Sequence, residues 1–123
     1  MGKKICITGG LGFIGQPLIK KLAVEGYEIL NLDRSVKNVP PDLEGLAEFV
    51  ECDIRDPKTQ ELVKGADTIV HLAALRSIKD SMDNPIEYNS INIDGTVNML
   101  EAARINKVKS FIFSSSSAVY GDI

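Results

Sequence analysis

The 123 residues carry 14 Lys and Arg against 17 Asp and Glu, a formal charge of −3, with 44% hydrophobic and 25% charged residues. That is the make-up of one globular domain with its own core, and it gives no electrostatic reason to expect nucleic acid or an anionic membrane as a partner. No apolar stretch approaches the roughly 20 residues of a membrane span, and two cysteines make no disulfide framework, so a reduced cytoplasmic setting is expected.

Lys3-Lys4 leads straight into an apolar run, which reads as no targeting segment. Met1-Gly2 does not read as a myristoylation signal, because Cys6 stands where that motif wants Ser or Thr. Ile5 to Thr8 is the first strand, with Cys6 a buried thiol. The stretch Thr8-Gly9-Gly10-Leu11-Gly12-Phe13-Ile14-Gly15 follows, and then Phe13, Ile14, Leu18, Ile19 and Leu22 recur at helical spacing until Gly26. Strand, glycine loop and helix in that order form a phosphate-binding turn: Gly12 lets the backbone approach a pyrophosphate, Gly15 lets the helix pack closely on the strand, and the helix start supplies free N–H groups. Gly9 and Gly10 both fit the remaining glycine position.

Glu28 to Leu32 is the second strand, and Asp33 at its end stands where an acid takes the ribose hydroxyls of a dinucleotide. A solvated strand-end carboxylate is the plainer alternative. A carboxylate there repels a 2′-phosphate and so favours NAD, while Arg34 keeps NADP in view. The polar stretch through Pro40-Pro41 reads as loop with at most a short helix, and Ala47 to Glu51 is the third strand, with Cys52 buried at its end. Asp53-Ile54-Arg55-Asp56-Pro57 leads into a helix that runs through Val63 and stops at Gly65. Asp53 and Asp56 read as a helix cap or, for Asp53, an adenine contact, rather than an acid–base pair.

Thr68 to Leu72 is the fourth strand. It contains His71, the only histidine, which reads as a core residue because no metal-ligand partners accompany it. Asn84-Pro85 opens the longest helical pattern, with Ile86, Ile93, Val97, Leu100 and Ala103 as one apolar face up to about Lys107. Ser110 to Ser114 is the fifth strand. On spacing alone the serine run 114–117 is a polar strand exit, since no local base accompanies it.

Alternating strands and helices, with strands apolar throughout, predict an α/β fold: a five-stranded parallel sheet of order 3-2-1-4-5 with helices on both faces, a truncated Rossmann fold. Residues 1–123 form one domain, expected to be incomplete at its C-terminal side, where the sheet should continue into a further helix. The fifth strand is then an exposed edge with a tendency to self-association as a homo-oligomer.

Taken together, the glycine loop, Asp53-Ile54-Arg55-Asp56, His71-Leu72-Ala73-Ala74, Asn92-Ile93-Asp94-Gly95-Thr96 and Ser114 to Gly121 closely resemble the extended short-chain dehydrogenase/reductase family, most of all its nucleotide-sugar 4-epimerases and dehydratases. The resemblance covers the whole chain and implies NAD as cofactor and, for a complete relative, a nucleotide-sugar substrate oxidised at C4. It implies that Gly9, Gly12, Phe13, Ile14 and Gly15 meet the pyrophosphate, that Asp33 and Arg34 flank the adenosine ribose, and that Asp53 and Ile54 border adenine. Leu72, Ala73, Ala74, Arg76 and Ser114 would line the cofactor, Arg76 standing where some epimerases carry a lysine, and Ser116 would hydrogen-bond the reacting hydroxyl. Asn92 is expected to fix the long helix rather than touch substrate.

The same resemblance calls for a Tyr-x-x-x-Lys acid–base pair and a substrate domain. Tyr27 is followed at that spacing by Asn31, Tyr88 by Asn92, and Tyr120 has no fourth residue after it, so the 123 residues hold no such pair. They are therefore expected to bind NAD without turning over a sugar nucleotide. The alternative functions are a stand-alone NAD-binding or self-associating module, or an enzyme completed by a second chain.

Overall fold

Five short strands pair in parallel: β1 (Lys4–Thr8), β2 (Glu28–Asp33), β3 (Glu48–Glu51), β4 (Thr68–His71) and β5 (Ser110–Phe113), in the order β3-β2-β1-β4-β5. The computed structural model describes residues 3–122, so Met1, Gly2 and Ile123 lie outside the described residues. The register sets Ile5 against Ile29 on one side and Thr68 on the other, and Thr68 against Ser110. The sheet is the five-stranded parallel one expected, in the expected order.

Pleating sends alternate strand residues to opposite faces, and both faces are covered around β1. Ile5, Ile7, Ile29 and Val70 pack on one face with Ile19 of α1 (Gly15–Val24) and Leu43 of a 3₁₀ turn (Pro41–Leu43). Cys6, Leu30, Leu32 and Ile69 pack on the other, against Val63 and Ala66 beyond α2 (Thr59–Leu62) and against Met99, Ala102 and Ala103 of α5 (Gly95–Ile105). Burial pushes the Cys6 thiol up to about 12, so it is an inert core group.

The structure corrects the sequence reading in four places. Phe13 and Ile14 do not belong to the buried stripe of α1: they precede the helix and are exposed, and only Leu18, Ile19 and Leu22 pack inward. The helix expected from Pro57 through Val63 is a single α-helical turn over Thr59–Leu62, entered through a turn in which Asp56 Oδ1 accepts from the Lys58 N–H and the Asp56 carbonyl from the Thr59 N–H. A six-residue helix, α3 (Ile78–Asp83), occupies a stretch to which the sequence reading assigns no element, its start capped by Ser77 Oγ, which accepts from the Asp80 N–H at 3.2 Å.

The fourth correction concerns the long helix. It is continuous from α4 (Pro85–Asn89) to α5 but widens into a π turn over Ser90–Asp94. The residues buried along it are Ile91, Gly95, Met99, Ala102 and Ala103, whereas Ile86, Ile93, Val97 and Leu100 of the expected apolar face are exposed. Gly95 lets the helix pack closely here: a Cβ would stand 2.6 Å from the side-chain tip of Ile54, which would have to shift.

Among the described residues no helix is long and apolar enough to cross a membrane, and none of the carboxylates, histidine and cysteines group as metal ligands.

Candidate functional site

A cavity of about 370 Å³ opens at the C-terminal ends of β1, β2 and β4, where the strand order reverses direction and ligands of open parallel sheets bind. Its floor is the loop between β1 and α1. Gly9 has φ +75°, and a Cβ on it would press against the backbone of Ala73 at 2.8 Å. Gly10 turns the other way, its N–H donating to Asn31 Oδ1 at 2.8 Å, and Gly15 packs directly on Gly10. Gly12 has open space apart from the Gly9 carbonyl, and Gly9, Gly12, Phe13, Ile14 and Gly15 all line the cavity. Gly9 and Gly10 are thus both needed as glycines, the first for backbone conformation and closeness to the β4 loop, the second for packing on β2.

This floor suits an anion. The N–H groups of Phe13 and Ile14 have no backbone acceptor among the described residues, and the ten-residue helix α1 begins immediately after them.

Asp33 forms the neighbouring wall. The Leu11 N–H donates to its Oδ2 at 3.1 Å and Asn31 Nδ2 donates to the same oxygen at 2.7 Å. Oδ1 therefore keeps its acceptor capacity. Burial pushes the Asp33 carboxyl up, opposed by those two hydrogen bonds. Arg34 continues the wall, and Asp53 and Ile54 close it at the end of β3. Asp53 is gripped by Arg55, Nη2 to Oδ2 at 2.6 Å and Nε to Oδ1 at 3.0 Å, which holds its carboxyl below the usual range.

The opposite wall is the segment after β4, with Leu72, Ala73, Ala74 and Arg76 lining the cavity, joined by Ser114 at the end of β5. Buried polar groups hold it in place. Thr8 Oγ1 accepts from the N–H groups of Leu72 and Ala73, each at 3.2 Å, so its own proton is free for His71 Nδ1 at 2.7 Å. Thr96 donates to the Asn92 carbonyl at 2.7 Å and accepts from His71 Nε2 at 3.0 Å. His71 is therefore the neutral Nε2–H tautomer, 2% exposed, and burial lowers its pKa to about 4.

Asn92, on the π turn, accepts from the Leu75 N–H and donates to the Leu75 carbonyl, both at 2.8 Å. It fixes the helix, as expected, but does so by gripping the cavity wall. Wide helical turns of this kind recur at functional sites because they re-aim a side chain.

Fourteen of the fifteen residues given a cofactor or catalytic role from the sequence line this one cavity. Ser116 does not: it is exposed and caps the 3₁₀ turn Ser117–Tyr120, its Oγ accepting from the Ala118 N–H at 3.2 Å. Sequence reasoning missed Leu32, Ser35, Cys52, Leu75 and Ile91 among the lining residues, and it missed Asn31 as the support of Gly10 and Asp33. An asparagine inside the apolar run of β2 was the available signal.

A five-stranded parallel sheet with a glycine loop at the β1–α1 turn and an acid ending β2 defines a protein of the Rossmann type. More narrowly, the chain belongs to the NAD dependent epimerase/dehydratase family, whose model matches residues 5–123. It is 36% identical over 121 residues to a protein of Methanocaldococcus jannaschii described as a putative UDP-glucose 4-epimerase, covering 96% of this chain and 40% of that one. It is 36% identical over 129 residues to a UDP-glucose 4-epimerase of Klebsiella pneumoniae, covering 97% of this chain and 93% of the relative. The crystal structure of a UDP-glucose-4-epimerase from Stenotrophomonas maltophila with bound NAD and formylated UDP-arabinopyranose matches with a TM-score of 0.87 at 32% identity, over 98% of this chain and 39% of that one. Against the archaeal relative and the crystal structure, the chain thus spans about two fifths of their length.

Proposed function

We propose that these 123 residues are the NAD-binding amino-terminal part of a nucleotide-sugar epimerase or dehydratase, and that alone they bind the cofactor without turning over a sugar nucleotide. The observation that carries this reading is the convergence of the glycine loop, Asp33 and the β4 loop on one cavity at the topological switch point. Gly9, Gly12, Phe13, Ile14 and Gly15 would cradle the pyrophosphate, and Asp33 would take the adenosine ribose hydroxyls through Oδ1. Arg34, Asp53 and Ile54 would enclose the adenosine end. Leu72, Ala73, Ala74, Arg76 and Ser114 would run along the remainder of the cofactor.

NAD, when bound, supplies the hydride acceptor for oxidation at the sugar C4. The residues present orient that cofactor, and Ser116 is free to hydrogen-bond a hydroxyl brought to it. No Tyr-x-x-x-Lys pair lies within the 123 residues, and loss of a positioned acid–base group typically removes about 10²–10⁴-fold in rate. The two free, buried cysteines support a reducing, cytoplasmic setting.

The test is thermal melting of the 123-residue chain against rising NAD, with NADP in parallel. A ligand that binds only the folded state stabilises by RT ln(1 + [L]/Kd), about 2.7 kcal/mol at a hundredfold excess over Kd. A shift with NAD exceeding that with NADP is expected, and no shift at millimolar NAD would overturn the reading. Self-association through β5 is a second reading, favoured by the exposure of Ile112 at 54% and Phe113 at 56% on an edge strand.

A further inference from the structure

Three N–H donors from one residue hold the Asp53 carboxylate at the cavity wall. Oδ1 accepts from the Arg55 backbone N–H at 2.9 Å and from its Nε at 3.0 Å, and Oδ2 accepts from its Nη2 at 2.6 Å. A carboxylate offers about four lone-pair positions. The grip therefore leaves one acceptor open, on Oδ2. Arg55 is itself anchored: Nη1 donates to Ser90 Oγ at 3.0 Å and reaches Glu87 Oε2 at 3.5 Å. Ser90 opens the π turn whose Asn92 grips Leu75, so the Asp53 wall and the β4 wall hang from the same helical turn. Asp53 lines the cavity and Arg55 is not among its lining residues.

We propose that Arg55 is a specificity-determining positioning residue, fixing Asp53 so that one acceptor meets the base of a bound dinucleotide and selects a purine bearing an exocyclic amine over one bearing an oxo group. The inference rests on the dinucleotide reading above. An exocyclic amine donates into the open lone pair. An oxo group in the same place sets lone pair against ionised carboxylate, leaving both unpaired, and sites built around a substrate donor reject analogues that lack it. Without the side-chain fork of Arg55, only the backbone N–H still holds Oδ1, Oδ2 satisfies itself with water, and the preference falls away.

The experiment is calorimetric titration of the 123-residue chain with NAD and with nicotinamide hypoxanthine dinucleotide, in which an oxo group replaces that amine and the adjoining ring nitrogen gains a proton. The unaltered chain is expected to bind NAD at least tenfold more tightly. Arg55→Ala is expected to bring the two within twofold of each other. Arg55→Lys, which keeps the charge but loses the two-pronged grip, is expected to narrow the ratio as well, and it carries the test if Arg55→Ala does not melt cooperatively. Variants that weaken both ligands equally and keep the ratio would overturn the assignment of Arg55 and leave the NAD reading standing. Equal affinity of the unaltered chain for both ligands would also overturn the assignment. Failure to bind either dinucleotide would overturn the NAD reading and this inference together.

Discussion

Asp33 serves the loop and the cavity with different oxygens. Oδ2 ties Leu11 and Asn31, and Oδ1 remains for a ligand. Asn at this position presents a carbonyl oxygen to the same two donors, so Asp33→Asn is expected to change stability by less than about 1 kcal/mol. Burial already disfavours the charge, which argues against a loss. NAD affinity should nonetheless fall at least tenfold, and the preference over NADP should shrink because nothing then repels a 2′-phosphate beside Arg34. Melting curves with and without each dinucleotide separate the two effects. His71 gives a pH signature. Its pKa is lowered from 6.5 to about 4, so the unfolded chain takes up a proton in that window and the native chain does not. Stability is thus full above about pH 6.5 and falls as pH drops toward 4, at no more than about 1.4 kcal/mol per pH unit from this group. Urea denaturation from pH 7.5 to 4.5 should show that slope, and His71→Asn should flatten it even if it lowers stability throughout.

The long helix shows how one element can mislead a sequence reader. Its apolar residues fall in two stripes, and both satisfy helical spacing: Ile86, Ile93, Val97 and Leu100 face outward, while Ile91, Met99, Ala102 and Ala103 meet the sheet. Met99→Ala is expected to cost about 2–5 kcal/mol through the cavity it leaves. Val97→Lys should change stability by no more than about 0.5 kcal/mol. Chemical denaturation of the two variants decides which stripe is buried, and equal losses would contradict the packing described. The strands, by contrast, were legible because a run such as Ile5-Cys6-Ile7 buried on both faces carries its own signal, and the glycine loop was legible because strand, glycines and helix occur in order. The helix Ile78–Asp83 was not, since it buries no residue and its two apolar side chains, Ile78 and Met82, are too few to stand out as a stripe. Only the Ser77-x-x-Asp80 cap marked it. Nor could spacing decide between Gly9 and Gly10, because their separate reasons lie in Ala73 and Asn31, residues distant in sequence.

At the scale of the whole molecule, the sheet is well covered around β1 and bare at β5. Phe111 packs on the core, but Ile112 and Phe113 are more than half exposed, and the outer edge of β5 pairs with no strand among the described residues. An exposed strand edge with apolar side chains is a template for pairing with another copy. The chain is therefore expected to self-associate as its concentration rises, as read by sedimentation velocity over a hundredfold dilution series. Ile112→Lys, which sets a charge on that edge without touching the core, should shift the distribution toward monomer. The cavity draws its walls from the ends of β1, β2, β3 and β4, with Ser114 alone contributed from the end of β5. Ile112→Lys should accordingly leave NAD affinity within about twofold of the unaltered chain, a change worth roughly 0.4 kcal/mol. Monomer at every concentration in the unaltered chain would remove the case for pairing at β5. Loss of NAD binding together with association would mean that the edge and the cavity form one cooperative unit, with order in the β4 loop depending on a partner strand beside it.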